Sequence, residues 1–255
     1  MNSFGQSLWC LPHWNREPDG ILMARKLRTS VAGVPQLIQR LGRDDVSPFI
    51  DDTDKLTYLD YLSRYASRYG VAMHSWCAAK NSILLLCTPS ESDSISLTLQ
   101  ATGRLYAQFY HQRHGTQGSI WRDRYKSALV LDDHLLLEVY RYVEQKPVTE
   151  GLCEAPEYYA WSSAGVNALN AAHPTVQPHN AFLRTAAEPV VRQRLHLQRL
   201  HDDNPEADRA IEKALRMGLA MGDEGFIRRI EQVTGRRLTE GKRGRPRKYP
   251  PAVQI

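Results

Sequence analysis

VAMHSWCAAKNSILLLCTP, residues 71–89, sets two apolar runs on either side of a short polar link. Val71–Cys77 alternates, with Val71, Met73, Ser75 and Cys77 on one side and Ala72, His74 and Trp76 on the other, which is the period of a strand. Ile83–Leu86 is continuously apolar and Thr88-Pro89 stops it, so Ser82–Cys87 reads as a buried strand. The AAKN link between the runs predicts a hairpin. The polar residues at its end, Lys80, Asn81 and Ser82, are an unusual lead into a core strand.

Working outward, VPQLIQRL (34–41) reads as a strand. Asp51–Asp54 supply carboxylates for a helix start, and Leu56, Leu59, Leu62, Ala66 and Tyr69 then recur at helical spacing up to Gly70. Residues 92–113 are helical by period, Lys126–Leu131 reads as another strand, and Asp132-Asp133 cap a helix running to about Gln145, with Pro147 as its stop. The order β-α-β-β-α-β-α predicts an α+β fold: a ferredoxin-like antiparallel sheet with helices on one face, followed by a helical C-terminal extension and a basic tail. The expected divisions are an irregular, disordered extension over 1–22, a ferredoxin-fold domain over 23–166, a linker over 167–189, a separate helical unit over 190–235 and the tail over 236–255. Met23 opens ARKLR and is an alternative start to Met1.

The totals narrow the function. The apolar fraction of 42% supports a real core, and no apolar run approaches the eighteen or so residues of a membrane span. The first residues carry no secretory pattern, and Cys10, Cys77, Cys87 and Cys153 form neither a CxxC pair nor a disulfide framework, so a reducing cytoplasm is expected. The net charge of +5 is unevenly spread. Residues 236–248, RRLTEGKRGRPRK, carry seven Lys/Arg against one Glu, a local +6 that leaves the rest near −1. A neutral body with a basic tail points to a polyanion, and hence to a nucleoid-associated location.

Seven segments in order resemble the REP-associated tyrosine transposases, within the single-tyrosine HUH superfamily: MARKLR, GVAMHSWC, ILLLCTP, GSIWRDRYKSALV, YRYVEQKPV, EYYAWSS and GDEGFIRRIEQVTGRRLTEGKRGRPRK. The resemblance implies DNA cleavage and joining by two parts. A strand bearing His-hydrophobic-His holds a divalent metal against the scissile phosphate, and a helical tyrosine attacks that phosphate and becomes joined to the DNA. Where family members carry a stretch like MPNHVHLLL, this chain has AAKNSILLL, which puts Asn81 and Ile83 at the two histidine positions. Ile83 cannot ligate a metal and Asn81 offers one neutral oxygen, whereas a hard cation needs several ligands. His74 on the neighbouring strand, and His111 with His114 on the long helix, are the other histidines weighed as ligands; the position of a further family histidine holds Leu37. The tyrosine is retained as Tyr142, with Lys146 four residues later where the family has Asn or Gln. The pair fits two readings: a phenol beside a phosphate-binding cation, or a tyrosine on an apolar helix face with a lysine at the helix C-terminus.

The expected function is DNA binding related to transposition, impaired in cleavage and reused as a regulator or repetitive-element binder; the alternative is an active transposase working through Tyr142. No cofactor is expected, with Mg or Mn required only if the site is active. The resemblance implies recognition of imperfect single-stranded hairpins. Arg122, Arg124 and Lys126, interleaved with Trp121 and Tyr125, suit phosphate contact and base stacking if that segment is extended; core aromatics with solvated cations are the other reading. In the tail, Arg243-Gly244-Arg245-Pro246 is similar to the core of an AT-hook, which fits the minor groove of A·T-rich duplex. Arg236, Arg237, Lys242, Arg247 and Lys248 would add phosphate contacts. A homodimer is a further expectation from the superfamily.

Overall fold

The computed structural model describes residues 29–173 and 175–240. The first strand, β1, is Gln36–Leu41. Helix α1, Asp52–Arg68, starts where the carboxylates predict: Asp51 caps it, and the Asp54 side chain completes a capping box. A hairpin of β2 (Val71–Ala78) and β3 (Ser82–Pro89) follows, then helix α2 (Ser94–His114) and strand β4 (Lys126–Val130). The buried carboxylate of Asp54 accepts hydrogen bonds from Arg113 at 2.6 Å and His114 at 3.0 Å, which ties the start of α1 to the end of α2.

β1 lies between β3 and β4, antiparallel to both, and β2 forms the far edge beyond β3. The order β2-β3-β1-β4 is the ferredoxin-like arrangement that the element sequence predicts. Alternation divides the sheet into two packed faces. Ile38, Trp76, Ile83 and Leu85 pack with Tyr58, Leu62 and Tyr106 of α1 and α2. Leu37, Leu84, Leu86 and Ala128 pack on the other side against Leu136, Val139 and Val143 of helix α3, Asp133–Glu144. The expectation of helices on one face therefore holds for α1 and α2 but not for α3. The strict alternation expected across Val71–Cys77 also fails. The register slips between Met73 and Ser75, a β-bulge that leaves Met73 and Trp76 on the α1/α2 face and sends Cys77 to the other.

The chain then runs through α4 (Lys146–Thr149), a 3₁₀ turn at Pro156–Tyr158, α5 (Ala164–Leu169), α6 (Asn180–Leu183), α7 (Pro189–His201) and α8 (Pro205–Met217). Strand β5 (Ala220–Met221) and helix α9 (Glu224–Thr234) complete the described fold. These elements do not form the separate unit expected over 190–235. Ile211, Ala214 and Leu215 of α8 join the core under α3, and β5 adds a fifth strand parallel to β4. Nor is 167–189 a bare linker, since Ala181 and Phe182 of α6 are buried in that same core. Helix α8 has its apolar stripe on one side only, so it has to lie on the sheet to bury it.

Two buried polar centres fix α3. Glu144, fully buried, accepts hydrogen bonds from Ser75 at 3.0 Å, Ser163 at 2.5 Å, Asn167 at 2.6 Å and His196 at 2.6 Å. It thereby joins α3 to β2, α5 and α7. One helical turn earlier, buried Arg141 binds Glu138, Gln145 and Asp208, and Asp208 is on α8. A charge buried this deeply needs such partners, because losing one leaves the other uncompensated.

Candidate nucleic-acid interface

Tyr142 lies between the residues that anchor α3, and it is only 8% exposed. Its cleft, about 490 Å³, is formed where α3 and α8 diverge over β1 and β4. Five cations line it: Lys126 from β4, Lys146 from α4, and Arg209, Lys213 and Arg216 from α8, with Glu212 as the single acid of the lining. Lys146 pairs with Glu150 at 3.4 Å and Lys213 with Glu240 at 2.5 Å. Lys126, Arg209 and Arg216 have no carboxylate at ion-pair distance among the described residues. These three cations are the lining charges left for an anionic ligand to pair with.

Arg209, Lys213 and Arg216 are spaced i, i+4 and i+7, which places them on one helix face opposite Ile211 and Leu215. That stripe is visible in the sequence, but its importance depends on where α8 docks. The Arg141–Asp208 pair and the burial of Ile211 and Leu215 turn it toward Tyr142.

The phenol of Tyr142 is pushed up from its ordinary value, chiefly by burial and then by the nearby carboxylates of Glu212, Asp208 and Glu150. A raised pKa disfavours the phenolate, the form that attacks phosphorus. Among the described residues, no cluster of three or more His, Cys, Asp or Glu side chains stands ready for the divalent cation that the family resemblance implies. Ile83 is packed in the α1/α2 core, on the opposite face of the sheet from Tyr142. Asn81 precedes the strand, and its amide oxygen is pressed against Gly42, where a Cβ would lie only 2.0 Å away. The two-residue spacing on the Tyr142 face belongs instead to Ser82 and Leu84, a neutral hydroxyl and a hydrocarbon. Neither Asn81 with Ile83 nor Ser82 with Leu84 supplies two metal ligands.

The other histidines are committed elsewhere. His74 is 4% exposed, and its Nδ1 meets the Gln177 carbonyl at 2.6 Å. A carbonyl only accepts, so Nδ1 carries the proton and Nε2 accepts from the Thr88 hydroxyl at 2.7 Å. Burial lowers its pKa to about 4. His111 spends both ring nitrogens on Thr116 and Gly118, and His114 binds Asp54.

The 122–126 segment divides. Residues 122–124 form a bend rather than an extended strand, so Arg122, Arg124 and Lys126 do not make one stripe. Arg122 pairs with Asp44, outside the cleft. Lys126 lines the cleft, and Arg124, in the bend before β4, lines a second, adjoining cleft with Arg236 and Arg237. Trp121 belongs to the α1/α2 core with the Arg40 guanidinium 4.4 Å over its ring, and the Tyr125 hydroxyl bonds Ser96 at 2.8 Å. Neither is a free stacking platform. Lys242, Arg243, Arg245, Arg247 and Lys248, and with them the AT-hook-like motif, lie outside the described residues, as does residues 1–22.

No family model and no curated protein matches the chain. Among solved structures, the fold is similar to that of a REP-associated tyrosine transposase bound to a REP hairpin. The match covers 62% of this chain and 93% of that one, with a TM-score of 0.50 and 13% sequence identity. The likeness is one of fold. It agrees with the ferredoxin-like arrangement expected from the element order.

Proposed function

We propose that this chain is a DNA-binding protein related to the tyrosine transposases, which holds the backbone of a single-stranded hairpin in the Tyr142 cleft and is impaired in cleaving it. The observation that carries the reading is the lining of that cleft: five cations against one acid, gathered from β4, α4 and α8 around a tyrosine. Closely spaced phosphates are the polyanion that such a lining suits, and the solved relative in fold is a transposase bound to a hairpin. The basic segment beginning at Arg236 extends the same charge toward the tail, where an A·T-rich duplex is a second expected partner. Two features support impaired cleavage: burial and nearby carboxylates raise the Tyr142 phenol, and neither Asn81 with Ile83 nor Ser82 with Leu84 offers a metal pair. Without a cation to stabilise the transition state, phosphodiester cleavage loses several kcal/mol of stabilisation, on the order of 10³-fold or more in rate. A regulator or repetitive-element binder is the role such a protein can still fill.

The test uses the full chain with labelled hairpin strands. Anisotropy should show binding that weakens with salt, and the double variant R209E/R216E should lose on the order of 100-fold in affinity while keeping its thermal stability. Unchanged affinity in that variant would refute the cleft. Incubation with Mg or Mn should give no protein–DNA adduct; an adduct that disappears in Tyr142→Phe would make this chain an active transposase instead.

A further inference from the structure

Sharing no lining residue with either basic cleft, a cavity of about 170 Å³ lies between α5, α6 and α7. Its apolar walls are Val166 of α5, Val176 and Pro178 of the segment that follows, Phe182 and Leu183 of α6, and Pro189 of α7. Phe182 is buried and stacks on Tyr140 of α3 with centroids 5.1 Å apart, so the core braces this wall. Leu183 and Ala171 are exposed and mark the mouth. The polar groups of the lining already have partners, with one exception. Gln193 Nε2 donates to Asn170 Oδ1 at 3.0 Å, and Arg192 Nη1 donates to the carbonyls of Ala186 and Ala187 at 2.7 Å. Asn167, only 3% exposed, donates from Nδ2 to Glu144 Oε1 at 2.6 Å and to the His74 carbonyl at 3.3 Å. A carboxylate and a carbonyl only accept, so the amide cannot be turned round and Oδ1 is fixed as an acceptor. Among the described residues nothing donates to it, which for a group in so buried a side chain calls for an explanation.

We infer that this cavity is a binding site for a small neutral aromatic molecule, a single ring carrying one hydroxyl or amino donor, with the donor on Asn167 Oδ1 and the ring against Phe182. Size selects one ring, since an apolar cavity of about 150 Å³ takes benzene. Water is a poor occupant of the inner end, because it needs about two to four polar partners and finds one protein atom there. The remaining walls are hydrocarbon and an aromatic face, which suit a ring held edge-on or offset. Charge selects a neutral donor. The Glu144 carboxylate on the other branch of the Asn167 amide polarises that amide and strengthens Oδ1 as an acceptor, and the same negative charge repels an anion. The inference goes beyond the proposed function and does not depend on it.

The full chain is titrated with phenol, anisole and benzoate, and dissociation constants are read from ligand-observed NMR. Phenol should bind saturably. Anisole, the same ring without the donor, should bind on the order of ten-fold more weakly, because it leaves Oδ1 unpaired. Benzoate should not displace phenol. Ala171→Phe sets a ring across the exposed mouth and should abolish phenol binding, with an unchanged melting temperature showing that the fold is kept. If that variant melts lower, the comparison of phenol with anisole on the native chain still decides. Anisole binding as tightly as phenol would overturn the inference, since Oδ1 would then not be read. Phenol binding that survives Ala171→Phe in a folded variant would overturn it by placing the ligand elsewhere. Displacement of phenol by benzoate would replace the neutral-donor site with an anion site at Arg192. Absence of saturable phenol binding would overturn the inference outright. None of these outcomes involves a hairpin, so each leaves the Tyr142 cleft to its own test.

Discussion

The two faces of the sheet are built from different materials. The α1/α2 face is closed by aromatic packing: Tyr58 lies edge-on to Tyr106 with centroids 5.0 Å apart, and Phe49 and Trp121 complete the cluster. The α3/α8 face has an apolar floor too, but its helices are held by charges, Glu144 and Arg141, and its open end is a cationic cleft. The first face is mostly hydrophobic area, which is non-directional, with the buried Asp54–Arg113–His114 cluster pinning only the start of α1 to the end of α2. The second has to set α3 and α8 at a defined separation, and directional buried hydrogen bonds do that where hydrocarbon would let the helices close over Tyr142.

The comparison can be broken by experiment. The largest effect is expected on the sealed face: Trp121→Ala should cost about 3–5 kcal/mol of stability by urea unfolding. Hairpin affinity of the remaining folded protein should not change, and a specific loss of affinity would show that the two faces are not independent. On the anchored face, Glu144→Ala should cost about 3–5 kcal/mol by stranding His196 and Asn167. Unlike Trp121→Ala, it should also weaken DNA binding, because α3 loses its position.

A smaller effect depends on pH. His74 is neutral in the folded chain with a pKa lowered to about 4, against 6.5 when unfolded. Protons therefore bind the unfolded state first, and stability should fall as pH drops below 6.5, levelling off near 4. Between pH 7.5 and 5 the loss from this group is about 2 kcal/mol. His74→Gln should flatten that part of the profile; an unaltered slope would mean that His74 is not the group responsible. The smallest effect is expected from Arg122→Ala. Arg122 pairs with Asp44 away from both clefts, so hairpin affinity should change by less than about two-fold. A larger loss would extend the interface beyond the clefts.

Hydrophobic period and capping carboxylates are local, and so the hairpin, α1, the long α2 and α3 could be read in the chain. His74 shows where period fails, because a bulge inserts one residue and every side chain beyond it changes face. The same one-residue sensitivity separates Ile83, on the α1/α2 face, from Leu84, on the face of Tyr142. Tyr142 and Lys146 were legible from spacing within one helical stretch. Arg209, Lys213 and Arg216 were legible as a cationic stripe but not as neighbours of Tyr142, which stands about 70 positions away in the chain.

From sequence alone came the βαββαβ order, the uneven charge and the absence of a histidine pair before Leu84, since each depends only on residue identity and nearby spacing. The tertiary structure decided that α8 belongs to the same core as the sheet, that its cations meet Lys126 and Lys146 around Tyr142, and that a second cleft continues from the first. Those facts arise from burial of an apolar stripe and from two buried charges finding partners on distant helices, and such long-range pairings leave no periodic trace along the chain.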